Sequence, residues 1–204
     1  MKLYVVRHGV TVWNKLHKLQ GSADIPLAEA GISLAEKVGE ALKEVSFDIC
    51  FTSPLIRARR TAELILGKQN AEIPIVEDKR IQEISFGILE GEVCMDEEGN
   101  FLNVSLEKFF KAPWSYDRPE NGENIEDILN RTREFWEEKI KDPSLQDKTI
   151  LIASHGCAVR ALLQNVYQDP KNFWHGCVPP NCSVNLVEVI DGKAVFLEED
   201  KVYA

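Results

Sequence analysis

Arg7 and His8 come directly after Leu3-Tyr4-Val5-Val6, a run of apolar, β-favouring residues, and just before Gly9 and Thr11, the last of these suited to cap a helix. A strand ending in a guanidinium and an imidazole, with a helix to follow, puts both groups at the edge of an open α/β sheet. Ligands bind at that edge, and helix N–H groups there favour anions. The chemistry such a pair supports is the handling of an oxyanion. The arrangement recurs once. Thr149 to Ala153, apolar and β-branched, run into Ser154, His155 and Gly156, after which Ala158, Leu162 and Val166 continue at helical spacing. One histidine at a strand end fits an ordinary structural role; two in the same strand, His-Gly, helix setting point to a shared site.

A third cation follows from Ser53-Pro54, which reads as an N-cap with proline at the first helical position and predicts a helix from Pro54 to about Leu66. Its first turn carries Arg57, then Arg59 and Arg60, and arginine there opposes the helix dipole. Arg57 is therefore read as an anion ligand, and Arg59 and Arg60 as partners of Glu63 or of solvent. Phosphoryl transfer needs an in-line nucleophile, donors around the equatorial oxygens and a proton for the departing alkoxide. His8 can be the nucleophile, and Arg7, Arg57 and His155 the clamp. Glu83 or Glu90, in R-I-Q-E-I-S-F-G-I-L-E-G, can be the acid.

The elements that must position these residues alternate. Leu27 to Val45 has apolar residues at three- and four-residue steps and reads as an amphipathic helix; Phe47–Thr52 and Ile73–Glu77 read as strands. Val104–Lys111 is a short helix and Gly122–Lys141 a long one, whose Phe135 and Trp136 belong to a core. Ser183–Ile190 and Ala194–Glu198, joined by Asp191-Gly192, form a hairpin. The expected fold is an α/β three-layer sandwich, with a mostly parallel central sheet, helices on both faces and the C-terminal hairpin at the edge, built as one domain over 1–204.

Composition narrows the partners. Of 204 residues, 44% are hydrophobic and 28% charged, as in globular proteins. No apolar run approaches the roughly 20 residues needed to span a bilayer, and Arg7 interrupts the first one, so a cytoplasmic protein without a membrane partner is expected. A net charge of −9 excludes a nucleic-acid or anionic-membrane surface while allowing a small anion in a local cationic pocket. The five cysteines, irregularly spaced, suit reduced thiols, and His175 beside Cys177 reads as a packed pair rather than half a zinc site. Nothing in the sequence indicates an oligomeric state.

Taken in order, these motifs resemble the histidine phosphatase superfamily, the phosphoglycerate-mutase-like proteins, over nearly the whole chain. R-H-G-x-T-x-x-N stands as Arg7, His8, Gly9, Thr11 and Asn14, and Q-G-x-x-D-x-P-L-x-x-x-G as Gln20, Gly21, Asp24, Pro26, Leu27 and Gly31. S-P-L-x-R-A-x-x-T-A is Ser53 to Ala62, E-x-x-x-G-x-x-E-G is Glu83, Gly87, Glu90 and Gly91, and the closing S-H-G is Ser154 to Gly156. The resemblance implies that His8 becomes phosphorylated, that Arg7, Arg57 and His155 bind the phosphate, and that Glu83 gives and then takes the leaving-group proton. It also brings Asn14 and Gln20 to the phosphate, counts Gly21 and Gly156 with the substrate-binding residues, and implies neither metal nor other cofactor.

Two departures matter. Asn124 replaces the serine of G-E-S, and Ser115-Tyr116-Asp117 follows Pro113-Trp114 where the cofactor-dependent mutases carry an arginine pair. The expected activity is thus hydrolysis of a small phosphorylated metabolite through phosphohistidine. The alternatives are a cofactor-dependent phosphoglycerate mutase, an alpha-ribazole phosphatase, or a non-catalytic phosphate-binding regulator, for which an acid such as Glu83 has no use. The segment Glu92 to Pro119 is a candidate lid; its Glu92, Asp96, Glu97 and Glu98 are expected near the mouth, repelling highly charged substrates.

Overall fold

The computed structural model describes residues 1–96 and 98–203. Six strands form one sheet: β1 (Lys2–Arg7), β2 (Ile49–Thr52), β3 (Ile75–Glu77), β4 (Thr149–Ser154), β5 (Val184–Ile190) and β6 (Lys193–Lys201), in the order β3-β2-β4-β1-β5-β6. β3, β2, β4 and β1 run parallel, whereas β5 and β6 are antiparallel and close the sheet as an edge hairpin. The hairpin turns at Asp191 (φ 51°) and Gly192 (φ 75°), the two positive φ values that a two-residue turn of this hand requires.

The central strands are apolar throughout because both their faces are covered. Along β1, Leu3 and Val5 point to one face and Tyr4 and Val6 to the other; along β4, Ile150 and Ile152 alternate in the same way with Leu151 and Ala153. The first face packs against Phe135 and Trp136 of α5 (Ile125–Lys141) and Val159, Leu162 and Leu163 of α6 (Gly156–Leu163). The second packs against Ala35, Val38 and Leu42 in and just after α2 (Glu29–Ala41), and Ala62, Ile65 and Leu66 of α3 (Ile56–Leu66). This is the expected sandwich. A third apolar cluster, around Phe86, Phe109, Tyr116 and Trp174, ties α4 (Val104–Lys111) to the end of α6 nearest the sheet edge.

Several boundaries differ from expectation, each for a local reason. The helix after β1, α1, is a single turn (Val12–Lys15), with Thr11 and Asn14 closing a capping box, so it offers no long helix dipole to the sheet edge. α3 begins at Ile56 with Leu55 as N-cap, not at Pro54. Ser53 is buried, and its hydroxyl faces a histidine ring besides accepting from Leu55 N (3.3 Å). α5 begins at Ile125 rather than Gly122, because Asn124 caps it and exchanges hydrogen bonds with Asp127. α6 stops at Leu163, short of Val166. Arg59 and Arg60 both reach Glu63, as expected (3.1 and 3.2 Å). Among the described residues no helix is long and apolar enough to cross a membrane.

Candidate active site

β1 and β4 are neighbours whose chains leave in opposite directions, β1 towards α2 on one face and β4 into α6 on the other. A crevice opens where adjacent parallel strands diverge in this way. Arg7 pairs with Ser154 across the ladder, and His8 N donates to Ser154 O (2.9 Å), so the two histidine turns end side by side. The rings of His8 and His155 lie 5.1 Å apart between centroids. Above them is a cleft of about 520 Å³, lined at its inner end by Arg7, His8, Asn14, Gln20, Glu83 and Gly156.

His8 has one committed nitrogen. Its Nδ1 lies 2.7 Å from Gly9 O, and since a carbonyl can only accept, Nδ1 carries the proton and Nε2 the lone pair. Burial, then the charges of Arg57 and Arg7, hold its pKa well below the usual histidine value, so the ring is neutral. Asn181 Nδ2 donates to His8 O (3.0 Å), and Gly9 N donates to Thr61 Oγ1 (3.0 Å), fixing the turn from both sides.

Around this nitrogen the donors are only partly spent. Arg7 Nη1 donates to Pro179 O (2.5 Å), while Arg7 Nε, though buried, has no partner among the described residues. Gln20 Oε1 accepts from Thr11 Oγ1 (2.6 Å), leaving the buried Gln20 Nε2 likewise unpartnered. Asn14 Oδ1 accepts from Thr11 N (3.0 Å), and Asn14 lines the cleft beside them. Buried donors without acceptors cost stability, about 1–3 kcal/mol each, unless an anion or water takes them up.

Glu83 stands across the cleft. Its Oε1 accepts from Ile84 N (3.0 Å) and Ala158 N (3.0 Å), and its Oε2 from Cys157 N (3.1 Å). Burial pushes its pKa up, against the pull of those three N–H groups and of Arg57. The carboxylate thus sits on the N-terminus of α6, with Oε2 keeping a lone pair on which a proton can ride.

The family model for the histidine phosphatase superfamily (branch 1) matches residues 3–200. The chain belongs to that family. A 2,3-bisphosphoglycerate-dependent phosphoglycerate mutase from Cytophaga hutchinsonii is 34% identical over 175 residues, 85% of this chain and 81% of that protein. YhfR from Bacillus stearothermophilus superposes with a TM-score of 0.87 at 32% identity, covering 98% of this chain and 97% of that one. A mutant phosphoserine phosphatase from Entamoeba histolytica in complex with phosphoserine gives 0.78 at 28% identity, covering 97% and 95%.

The structure places the expected site residues in two groups. Arg57 and His155 are fully buried and absent from the cleft lining. Arg57 spends Nε on His155 Nδ1 (3.1 Å), Nη1 on Ala23 O (2.7 Å) and Nη2 on Gly21 O (2.7 Å). His155 Nδ1 therefore accepts, and its Nε2 donates to Ser53 Oγ (2.7 Å). Arg7, Asn14 and Gln20 line the cleft, whereas Arg57 and His155 do not line it and are joined to each other next to His8, with one N–H on each Arg57 Nη left over from these bonds.

Gly21 does not line the cleft, and its N–H is held by Glu90 Oε2 (3.0 Å). Its small size is needed all the same: a Cβ there would come within 2.1 Å of Ile84 O. Gly156 does line the cleft, against the Arg7 guanidinium. Glu90 also accepts from Ser22 N (2.7 Å), Ala23 N (3.4 Å) and Phe86 N (3.0 Å), so it pins the loop that carries Gln20 and leaves Glu83 as the carboxyl on the cleft. Asn124 caps α5 and contributes no amide to the lining.

The acidic mouth is not found. Glu92, Asp96 and Glu98 are absent from the cleft lining, and Asp96 spends its carboxylate on Asn100; Glu97 lies outside the described residues. Cys94, Phe109 and Phe110 of that segment line the cleft instead, with Lys18 and Trp174. No motif or spacing in the sequence marks these as cleft residues. Nor does any motif mark Arg131, whose guanidinium donates to Arg80 O, Gln82 O and Glu83 O (2.8, 2.6 and 3.0 Å) and pairs with Glu123 (2.8 Å). Arg131 thereby fixes the chain leading to Glu83.

Proposed function

We propose that the protein is a phosphomonoester hydrolase that works through a phosphohistidine on a small phosphorylated metabolite. The observation that carries this reading is the neutral His8 with its lone pair on Nε2, on a cleft where Arg7 Nε and Gln20 Nε2 are buried donors without acceptors. Nε2 attacks phosphorus, the P–O bond to the alcohol breaks, and the Glu83 proton goes to the departing oxygen. Arg7, Asn14 and Gln20 take the equatorial oxygens. Arg57, beside His8, adds positive charge as the phosphoryl group arrives, and the neutral His155 holds Arg57 in place. A water then attacks phosphorus, Glu83 takes its proton, and His8 leaves as neutral imidazole.

A cofactor-dependent mutase is the second reading, favoured by the names of relatives such as that from Cytophaga hutchinsonii. It must keep water from the phosphohistidine and hold a sugar acid with cations. Against it, the described lining offers Lys18 as the cation beyond Arg7, between aromatic walls. The deciding experiment supplies 3-phosphoglycerate with catalytic 2,3-bisphosphoglycerate, and phenyl phosphate in parallel, and measures 2-phosphoglycerate and free phosphate. Phosphate release is expected to exceed isomerisation. Isomerisation that outruns phosphate release from every substrate tried overturns the hydrolase reading.

A further inference from the structure

Arg160 is fully buried and charged, yet it lies outside the cleft lining. It belongs to α6, just after Cys157 and Ala158, whose N–H groups hold Glu83. Its Nε and Nη2 both donate to Cys177 O (3.1 and 2.8 Å), Nη1 donates to the Tyr167 hydroxyl (2.6 Å), and Nη2 also pairs with Asp200. Asp200 in turn is fixed to β5: its N donates to Asn185 Oδ1 (3.0 Å), and Asn185 Nδ2 donates to its Oδ1 (3.4 Å). What Arg160 holds leads straight to the end of β1. Pro179 O accepts from Arg7 Nη1 (2.5 Å), Asn181 Nδ2 donates to His8 O (3.0 Å), and Cys182 N donates to Arg7 O (3.0 Å). Between α6 and β5 the chain forms no helix or strand, so the place of this stretch depends on such anchors.

A buried ion pair is weak evidence for stability, because apolar residues of similar volume often serve as well or better. Geometry is the stronger reason for this one. We infer that Arg160 is a positioning residue, which joins the helix holding Glu83 to the loop holding the Arg7 guanidinium and so keeps the acid and the phosphate ligand at a fixed separation. Without its two-pronged hold on Cys177 O, Pro179 O is free to shift, and Arg7 loses its aim at the oxyanion. A small misplacement of a group that grips the reacting phosphate is costly, even when its cause lies well away from the chemistry. This role rests on the reading of Arg7 as a phosphate ligand in a hydrolase.

The test combines Arg160→Met with Asp200→Asn, because Asp200 is within electrostatic reach of Arg7 and a pair removed together leaves the local charge balanced. Calorimetry with inorganic phosphate should show about a tenfold rise in Kd, and with phenyl phosphate KM should rise more than kcat falls. In an Arg7→Met background the same pair should change the phosphate Kd by less than about twofold, since a residue that acts through Arg7 has nothing left to act on. Tyr167→Phe removes a different acceptor of Arg160 and leaves Cys177 O held; it should lower Tm and leave the phosphate Kd unchanged. Arg160→Lys, which keeps the charge and gives up the fork, repeats the comparison with a smaller rise of about threefold, and it serves if the double variant does not fold. A loss of equal size in both backgrounds, or in Tyr167→Phe, would make Arg160 merely structural and overturn the assignment. So would variants at Arg160 whose phosphate Kd matches the wild type, or a wild type that binds no phosphate. The expected pattern of Kd values in a protein that releases no phosphate from any ester would overturn the hydrolase reading and keep Arg160 as the positioning residue.

Discussion

The two histidine turns look alike in sequence and differ in what their second ring nitrogen does. At the end of β1, His8 commits Nδ1 to a carbonyl one residue away and leaves Nε2 on the cleft. At the end of β4, His155 has both nitrogens engaged, one by Arg57 and one by Ser53, and is sealed from solvent. Strand, histidine and glycine put an imidazole at the sheet edge in both cases. Whether the ring then reacts or supports depends on partners brought from elsewhere in the chain.

The strongest way to break this distinction is to remove each ring in turn. His8→Ala should lower phosphate release by at least about 10³-fold and abolish a phosphoenzyme that is acid-labile and alkali-stable, as measured by trapping with labelled substrate. His155→Asn should lower kcat by about 10²-fold while a phosphoenzyme still forms. If His155→Asn loses the phosphoenzyme and His8→Ala keeps it, the two roles are exchanged.

A second test uses pH. Burial and two arginines depress the His8 pKa below 6.5, so the nucleophile stays neutral into the acid range, while burial raises the Glu83 pKa above 4.5, so its acid form persists further upward. The two shifts widen the overlap, and kcat/KM should follow a bell with an acidic-to-neutral optimum, its acid limb from His8 and its alkaline limb from Glu83. Glu83→Gln should lose the alkaline limb and about 10²-fold in amplitude. Glu90→Gln should keep the shape of the bell and cost about tenfold, because it loosens the loop carrying Gln20 without touching the proton. A profile that changes in Glu90→Gln and not in Glu83→Gln would reverse the assignment.

The smallest effect sharpens the supporting role of His155. Ser53→Ala leaves its Nε2–H buried without an acceptor and should cost about 1–3 kcal/mol of stability in denaturant unfolding, with only a few-fold loss of kcat. Both buried histidines have depressed pKa values, so the unfolded chain binds protons that the folded one refuses. Stability should be fully present above about pH 6.5 and fall as the pH drops towards the folded values. The pH dependence of Tm checks this, and it should be shallower in His155→Asn.

Much of this was legible in the sequence where the determining contacts are local. The run into Arg7-His8, the Thr11 cap, the Asp191-Gly192 turn and the Val104–Lys111 helix are each set by neighbours a few residues away, and they stand where the pattern put them. What could not be read depends on groups distant in sequence. Glu90 and Glu83 sit in one motif, yet Glu90 is consumed by N–H groups of the Gly21–Ala23 loop, while Glu83 rests on α6. Arg57 reads as an anion ligand because its helix position opposes the dipole; that the carbonyls of Gly21 and Ala23 and the ring of His155 also hold it is set by chain far from it in sequence. Phe109 and Trp174 carry no signal in the sequence, because residues packed on one side do not reveal by pattern that the other side lines a cleft.

The pairing of β1 with β4 has a consequence for how the molecule comes into being. Lys2 to Arg7 lie against Thr149 to Ser154, with most of the chain between them, and the N–H groups that hold Glu83 belong to α6, later still. A growing chain therefore carries the proposed nucleophile, His8, early but has no bed for it. Contacts of such large sequence separation form late, after the loop-closure entropy has been met. Reactivity and completed folding are coupled by topology: a nascent or truncated chain ending before β4 lacks the His155 ring that lies next to His8, and the competent site arises only when the last parallel strand slots into the middle of the sheet.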